Sequence, residues 1–91
     1  MSNIPNRLDP VSGKEIDKEV LRTGIIAELD AINLYEQLSA NAKEPKIKKL
    51  FLNIAKEEKT HMGEFQAMLL QNDSEQVKEL ENGKKEVADL K

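Results

Sequence analysis

The chain lacks cysteine and tryptophan altogether, and has one tyrosine, two phenylalanines and one histidine among its 91 residues. Without cysteine there is no disulfide scaffold, no thiolate-held iron and no thiol catalysis. Aromatics make up only 3% of the chain, so few large side chains are on hand to fill a core. A single small domain of this length buries a modest fraction of its surface, and oligomerisation is expected before any motif is read. No apolar run approaches the roughly 18 residues of a membrane span, and the opening MSNIPNRLDP has no signal-peptide core. Excess positive charge is also missing. The net charge is −3 with both signs interspersed, and no basic patch alternates with aromatics, which argues against nucleic acid as a partner. These absences together predict a cytoplasmic protein that does not enter the membrane.

What is present is helical. Residues 1–13 carry two of the three prolines with Asn, Ser and Gly, and read as a flexible N-terminal arm ahead of a single domain over 14–91. Ser12 and Glu15 have capping-box spacing, so a first helix is predicted over about 14–42. Its one interior glycine, Gly24, is read as a point where another helix comes close. NAKEPK breaks the pattern, and Pro45 suits the first turn of a second helix over about 45–71. Asp73 and Gln76 again have capping-box spacing, and ENG (Glu81 to Gly83) reads as a stop, giving a short third helix over about 74–82. No strand, repeat or low-complexity tract is evident. The fold class is all-α: an antiparallel two-helix hairpin with a short C-terminal helix.

The inward stripe of the first helix, at steps of three and four, runs Leu21, Ile25, Glu28, Ile32, Tyr35, Leu38. That of the second runs Ile47, Leu50, Phe51, Ile54, Glu58, His61, Phe65, Met68, Leu69. Both are apolar except at mid-length, where Glu28 faces Glu58 and His61 at similar depth in a hairpin. A carboxylate drawn into an apolar interior costs several kcal/mol unless it is paired or bound to a metal. Neither stripe offers Lys or Arg. A divalent ion bound by oxygen and imidazole supplies the missing charge, and Glu58 and His61, at i and i+3, project from one face toward it. The four-helix di-iron or di-manganese carboxylate centre needs a Glu from each of two helices and Glu-x-x-His from each of the other two. This chain holds one of each, half a site, and two chains packed face to face complete a four-helix bundle and its ligand set.

Blander readings stand beside this one. Glu-x-x-His is common in helices, and a lone histidine on an apolar face is more often a hydrogen-bonded interface residue than a ligand. Tyr35 is either interface packing or a donor that orients a ligand carboxylate. Asp30, Glu57 and Glu64 flank the stripes as solvated charges or as an acidic approach to the site. Met62 and Met68 are core filler, and KEPKIKK is a solvated turn.

The segment from Ile25 to Asp73, with its paired signatures AELDAINLYEQ and AKEEKTHMGEF, closely resembles the encapsulated ferritin-like proteins, above all the ferritin-like domain fused to archaeal encapsulin shell proteins. The likeness covers about residues 18–90. It implies a di-iron ferroxidase centre across a subunit interface, with Glu28, Glu58 and His61 as iron ligands and Tyr35 beside them. It also implies homodimers assembled into a ring-shaped homodecamer, and storage of the oxidised iron inside an encapsulin nanocompartment. Acidic residues near the first ligand form an iron-uptake or relay site in that family. Asp30 matches one of them, while Ala27 stands in place of another. The chain ends EVADLK without the Gly/Leu-containing targeting peptide of free cargo, so it reads as a fused domain's portion, a shortened cargo or a relative that works without a shell.

The leading expectation is a ferroxidase that oxidises Fe(II) with O2, with Mn or Zn able to occupy the same donors. The alternatives are a metal-free helical dimerisation module, and a di-iron oxygenase or rubrerythrin-like peroxidase, whose usual thiolate electron donor this chain lacks.

Overall fold

The computed structural model describes residues 13–91. The arm expected over 1–13, Gly13 excepted, and the Ser12 end of the first capping box lie outside that range. Three helices follow in order: α1 (Gly13–Asn41), α2 (Pro45–Asn72) and α3 (Ser74–Ala88). The described residues contain no strand, and none of their helices is long and apolar enough to cross a membrane.

α1 and α2 form the antiparallel hairpin, turning through Ala42, Lys43 and Glu44. Glu44 is extended (φ −78°, ψ 128°), as a residue before proline must be, and Pro45 opens α2 where its missing N–H is no loss. The turn is more than a solvated charge run. Lys48 reaches back from α2 and donates to the carbonyls of Ser39 (3.1 Å) and Ala40 (3.2 Å). Ser39 returns a hydrogen bond from its hydroxyl to the Lys48 carbonyl at 2.8 Å. α1 has no basic residue in its own last turn, so a cation from the neighbouring helix satisfies its orphan carbonyls and opposes its dipole.

Asp73 alone separates α2 from α3. Its Oδ1 accepts the Gln76 amide at 3.0 Å, the expected cap of α3, and its Oδ2 accepts Arg22 Nη2 of α1 at 3.0 Å. The Gln76 amide holds the Asp73 carboxyl below its ordinary value of 3.8, partial burial opposes this, and the cations of Lys18 and Arg22 add to the lowering. A carboxylate with a depressed folded-state pKa contributes stability that is complete above its unfolded value and is lost as pH falls through the folded one. Asp73→Ala should therefore fray α3, seen as faster amide hydrogen exchange over its first turn at neutral pH. Asp73→Asn keeps a capping oxygen and should hold α3 at neutral pH while losing the parent's loosening in acid.

α3 does not stop at Gly83; it runs on to Ala88 and ends at Asp89, whose amide bonds to the Lys85 carbonyl at 3.1 Å and that of Glu86 at 3.2 Å. No described glycine takes a positive φ, so Gly83 forms no left-handed cap. A glycine inside a helix costs only about 1 kcal/mol, too little to break one when good helix formers follow. α3 adjoins α2 and stands off α1. A groove of about 340 Å³ is left between the three helices, lined in part by Arg22, Ile25, Leu69 and Leu80.

The core is slight. Among the described residues only Ile32, Ala55, Leu69 and the polar Ser39 are buried. Ala55 and Ser39 were not on the expected stripes, whereas Leu38, Ile47, Leu50 and Met68 were, and those four are exposed. Two helices give each other one neighbour only, so the broad apolar stripe is covered along its middle and spills out to either side. Gly24 does mark a close approach, that of the Phe65 ring.

Candidate metal centre

Glu28 sits near the middle of α1, and Glu58 and His61 lie one turn apart on α2. The hairpin brings all three together: one donor atom from each lies within 4.8 Å of the others. His61 Nδ1 is 3.8 Å from Glu28 Oε2 and 3.6 Å from Glu58 Oε2, in both cases beyond a hydrogen bond. The two glutamates are largely covered, with side chains 17% and 20% exposed, while the imidazole is 48% exposed. The cluster thus has a floor of two covered carboxylates, one from each helix, and opens at His61.

Glu28 Oε2 is buried and accepts no hydrogen bond among the described residues. Neither glutamate of the cluster pairs with a lysine or arginine there; the nearby cation Lys59 goes instead to Glu36, at 3.3 Å. A buried carboxylate oxygen in this state is short of positive charge. Two carboxylates and an imidazole suit Fe(II), Mn(II) or Zn(II). Tetrahedral donors bonding one ion at about 2.0–2.2 Å lie roughly 3.4 Å from one another, so the three side chains would have to draw together to hold it. The donor set fits a metal.

The other candidates fall further out. Tyr35 lies two turns along α1 and its ring stacks on Phe51, centroids 6.1 Å apart at 26°; the described residues give its hydroxyl no hydrogen bond to either glutamate. Asp30 is half-buried and stands about 200° round the helix from Glu28, outside the cluster. Glu57 and Glu64 are exposed, as expected of flanking charges. The Phe65 contact with Gly24 is half legible in the sequence: a glycine inside a helix marks a close approach, while nothing local marks Phe65 as its partner.

A model of the family described as Rubrerythrin matches residues 19–91. A ferritin-like–encapsulin shell fusion protein of Pyrococcus furiosus is 51% identical over 85 residues, which is 93% of this chain and 24% of that protein. The chain therefore spans about a quarter of the length of that relative. Among solved structures, the encapsulated ferritin domain from Pyrococcus furiosus superposes with a TM-score of 0.85 at 50% identity, covering 96% of this chain and 88% of that one. With its three helices and its Glu-x-x-His cluster, the chain belongs to the rubrerythrin family and, within it, to the encapsulated ferritin-like proteins.

Proposed function

We propose that this chain is a ferroxidase of the encapsulated-ferritin type, oxidising Fe(II) to Fe(III) with O2 at a di-iron site shared by two subunits. The observation that carries this reading is the buried Glu28 oxygen without a donor, set against Glu58 and His61. One chain brings two carboxylates and one imidazole to the cluster, half of the set a two-metal carboxylate centre uses. A second copy packed on the same face supplies the rest. Leu38, Ile47, Leu50 and Met68 belong to the ligand-bearing stripes and are exposed, which is the surface such a partner would cover.

In this mechanism Glu28 contributes a desolvated negative charge from the floor, where low dielectric strengthens its hold on a cation. Glu58, covered like Glu28, and the more open His61, one helical turn apart on α2, complete the donor set. The half-exposed imidazole leaves a path by which Fe(II) and O2 arrive. Iron supplies the redox chemistry, each Fe(II) giving one electron to O2. Tyr35, two turns along α1 and stacked on Phe51, acts as a positioning residue through the helix packing, and Asp30, outside the cluster, serves uptake or relay of iron. Mn(II) and Zn(II) compete for the same donors. The relative's fusion to a shell protein supports a place inside a cytoplasmic encapsulin nanocompartment. The dimers are proposed to gather there into a ring-shaped homodecamer.

Anaerobic Fe(II) titration, followed by light-scattering mass, tests the shared centre. About one ion should bind per chain and two per dimer, and iron should drive association because only the assembled state holds the full site. A monomer that binds two ions overturns the shared site. A dimer indifferent to both iron and chelator supports instead a metal-free dimerisation module.

A further inference from the structure

One contact between α1 and α2 shares a seam with the metal cluster and has no part in it. A Cβ built on Gly24 would lie 3.2 and 3.3 Å from Phe65 Cδ2 and Cε2, and 3.5 Å from Cγ. Carbon atoms rest best at about 3.5–4.0 Å, so the ring is seated against bare backbone and a methyl group there would press on it. Gly13, Gly63 and Gly83, also helical, have nothing within 4 Å at the same position. The other helical glycines therefore have open space for a side chain, whereas at Gly24 the Phe65 ring has to give way by a few tenths of an ångström.

Its place in the register gives the contact meaning. Gly24 precedes Glu28 by four residues on α1, and Phe65 follows His61 by four on α2. In an α-helix residues four apart stack on one face. The Gly24–Phe65 contact is thus one turn below the Glu28–His61 contact, between the same two helices. Whatever separation the ring and the glycine set is passed, almost undiminished, to the donor atoms one turn away.

We propose that Gly24 and Phe65 are positioning residues that fix how closely α2 approaches α1 at the cluster, and so set the distance of Glu28 from Glu58 and His61. This rests on the metal-binding reading above. A phenylalanine suits the task because its ring is rigid and has only two side-chain torsions, while glycine admits it to the helix backbone. Sites of this kind tolerate errors of about 0.5 Å. A methyl group at position 24 displaces the ring by a few tenths of an ångström, which takes up much of that margin and weakens the donor set without unmaking it, while both helices stay intact.

The test uses Co(II) as probe, with affinity and visible absorption as readouts and thermal melting beside them. Gly24→Ala should weaken Co(II) binding about tenfold, the lower end of what residues supporting a metal's ligands contribute, and should alter the spectrum, while helix content stays that of the parent. Gly83→Ala makes the same chemical change where nothing is near; it should raise the melting temperature and leave affinity and spectrum unchanged. In the double variant Gly24→Ala/Phe65→Leu the smaller side chain makes room, and most of the lost affinity should return. Parent-like affinity and spectrum in Gly24→Ala overturn the proposal, as does a loss that Phe65→Leu does not relieve. Should Gly24→Ala fail to fold, Phe65→Leu alone carries the test. With the ring gone, Co(II) affinity should fall at unchanged helix content, and unchanged affinity overturns the idea. A parent that binds no Co(II) removes the metal reading itself, an outcome distinct from the others.

Discussion

Glu58→Ala and His61→Ala should each abolish rapid Fe(II) oxidation, and Glu28→Ala should do the same from the opposite helix. The expected loss is about 100-fold or more in initial rate, beyond what residues that merely support metal ligands contribute. Each substitution removes one of the three donors that a single chain brings to the cluster. In a centre shared by two copies each change acts twice, which is why partial activity is not expected. Glu57→Ala is the control. It sits beside Glu58 in sequence but about 100° round the helix, and it is exposed, so its removal should leave the rate near that of the parent. Stopped-flow absorbance of Fe(III) formation reads all four variants. If Glu57→Ala were damaging and Glu58→Ala silent, the assignment of the α2 face would be wrong.

The cluster was legible in the sequence for a reason that holds only for part of the fold. Glu28, Glu58 and His61 were the polar residues interrupting the two apolar stripes where the hairpin brings them level, and a buried carboxylate without a cation stands out in any such pattern. The α2–α3 break was legible too, because Asp73 and Gln76 write their cap locally. What failed was whatever depended on the neighbour. Periodicity says which way a side chain points, not whether another helix is there to cover it. Leu38, Ile47, Leu50 and Met68 therefore read as core and are exposed in a single chain, while the small Ser39 and Ala55, which lie off both stripes, are buried. Lys48 was missed for a similar reason: its partners are carbonyls of another helix, and no local pattern marks them. Gly83 misled because a glycine after Glu-Asn looks like a left-handed cap, yet the residues beyond it favour helix enough to carry α3 through.

Glu28→Gln should make the metal-free protein more stable and at the same time insensitive to iron. Glu28 Oε2 is buried and accepts no hydrogen bond among the described residues, and the nearest imidazole nitrogen, at 3.8 Å, is too far to donate one. The folded protein thus carries a largely desolvated carboxylate that no lysine or arginine among the described residues pairs with. Leaving such a group unsatisfied costs about 1–3 kcal/mol, and more when it is charged. Glutamine keeps the shape and removes the charge, so most of that cost is relieved. For a chain of this size 1 kcal/mol corresponds to roughly 4–8 °C in melting temperature, and a rise of about 5 °C or more is expected at fixed protein concentration. Glu58→Gln should gain less, since its carboxylate has no oxygen buried without a partner. Anaerobic Fe(II) reverses the order. The parent should climb as the ion binds the folded, assembled state alone, while Glu28→Gln, lacking an anionic donor, should stay where it was. A metal-free Glu28→Gln protein that melts below the parent would mean that the carboxylate has a structural partner in the assembly. A charge held ready for a metal should be a liability until the metal arrives, and the crossing of the two melting curves on adding iron is the signature of that state.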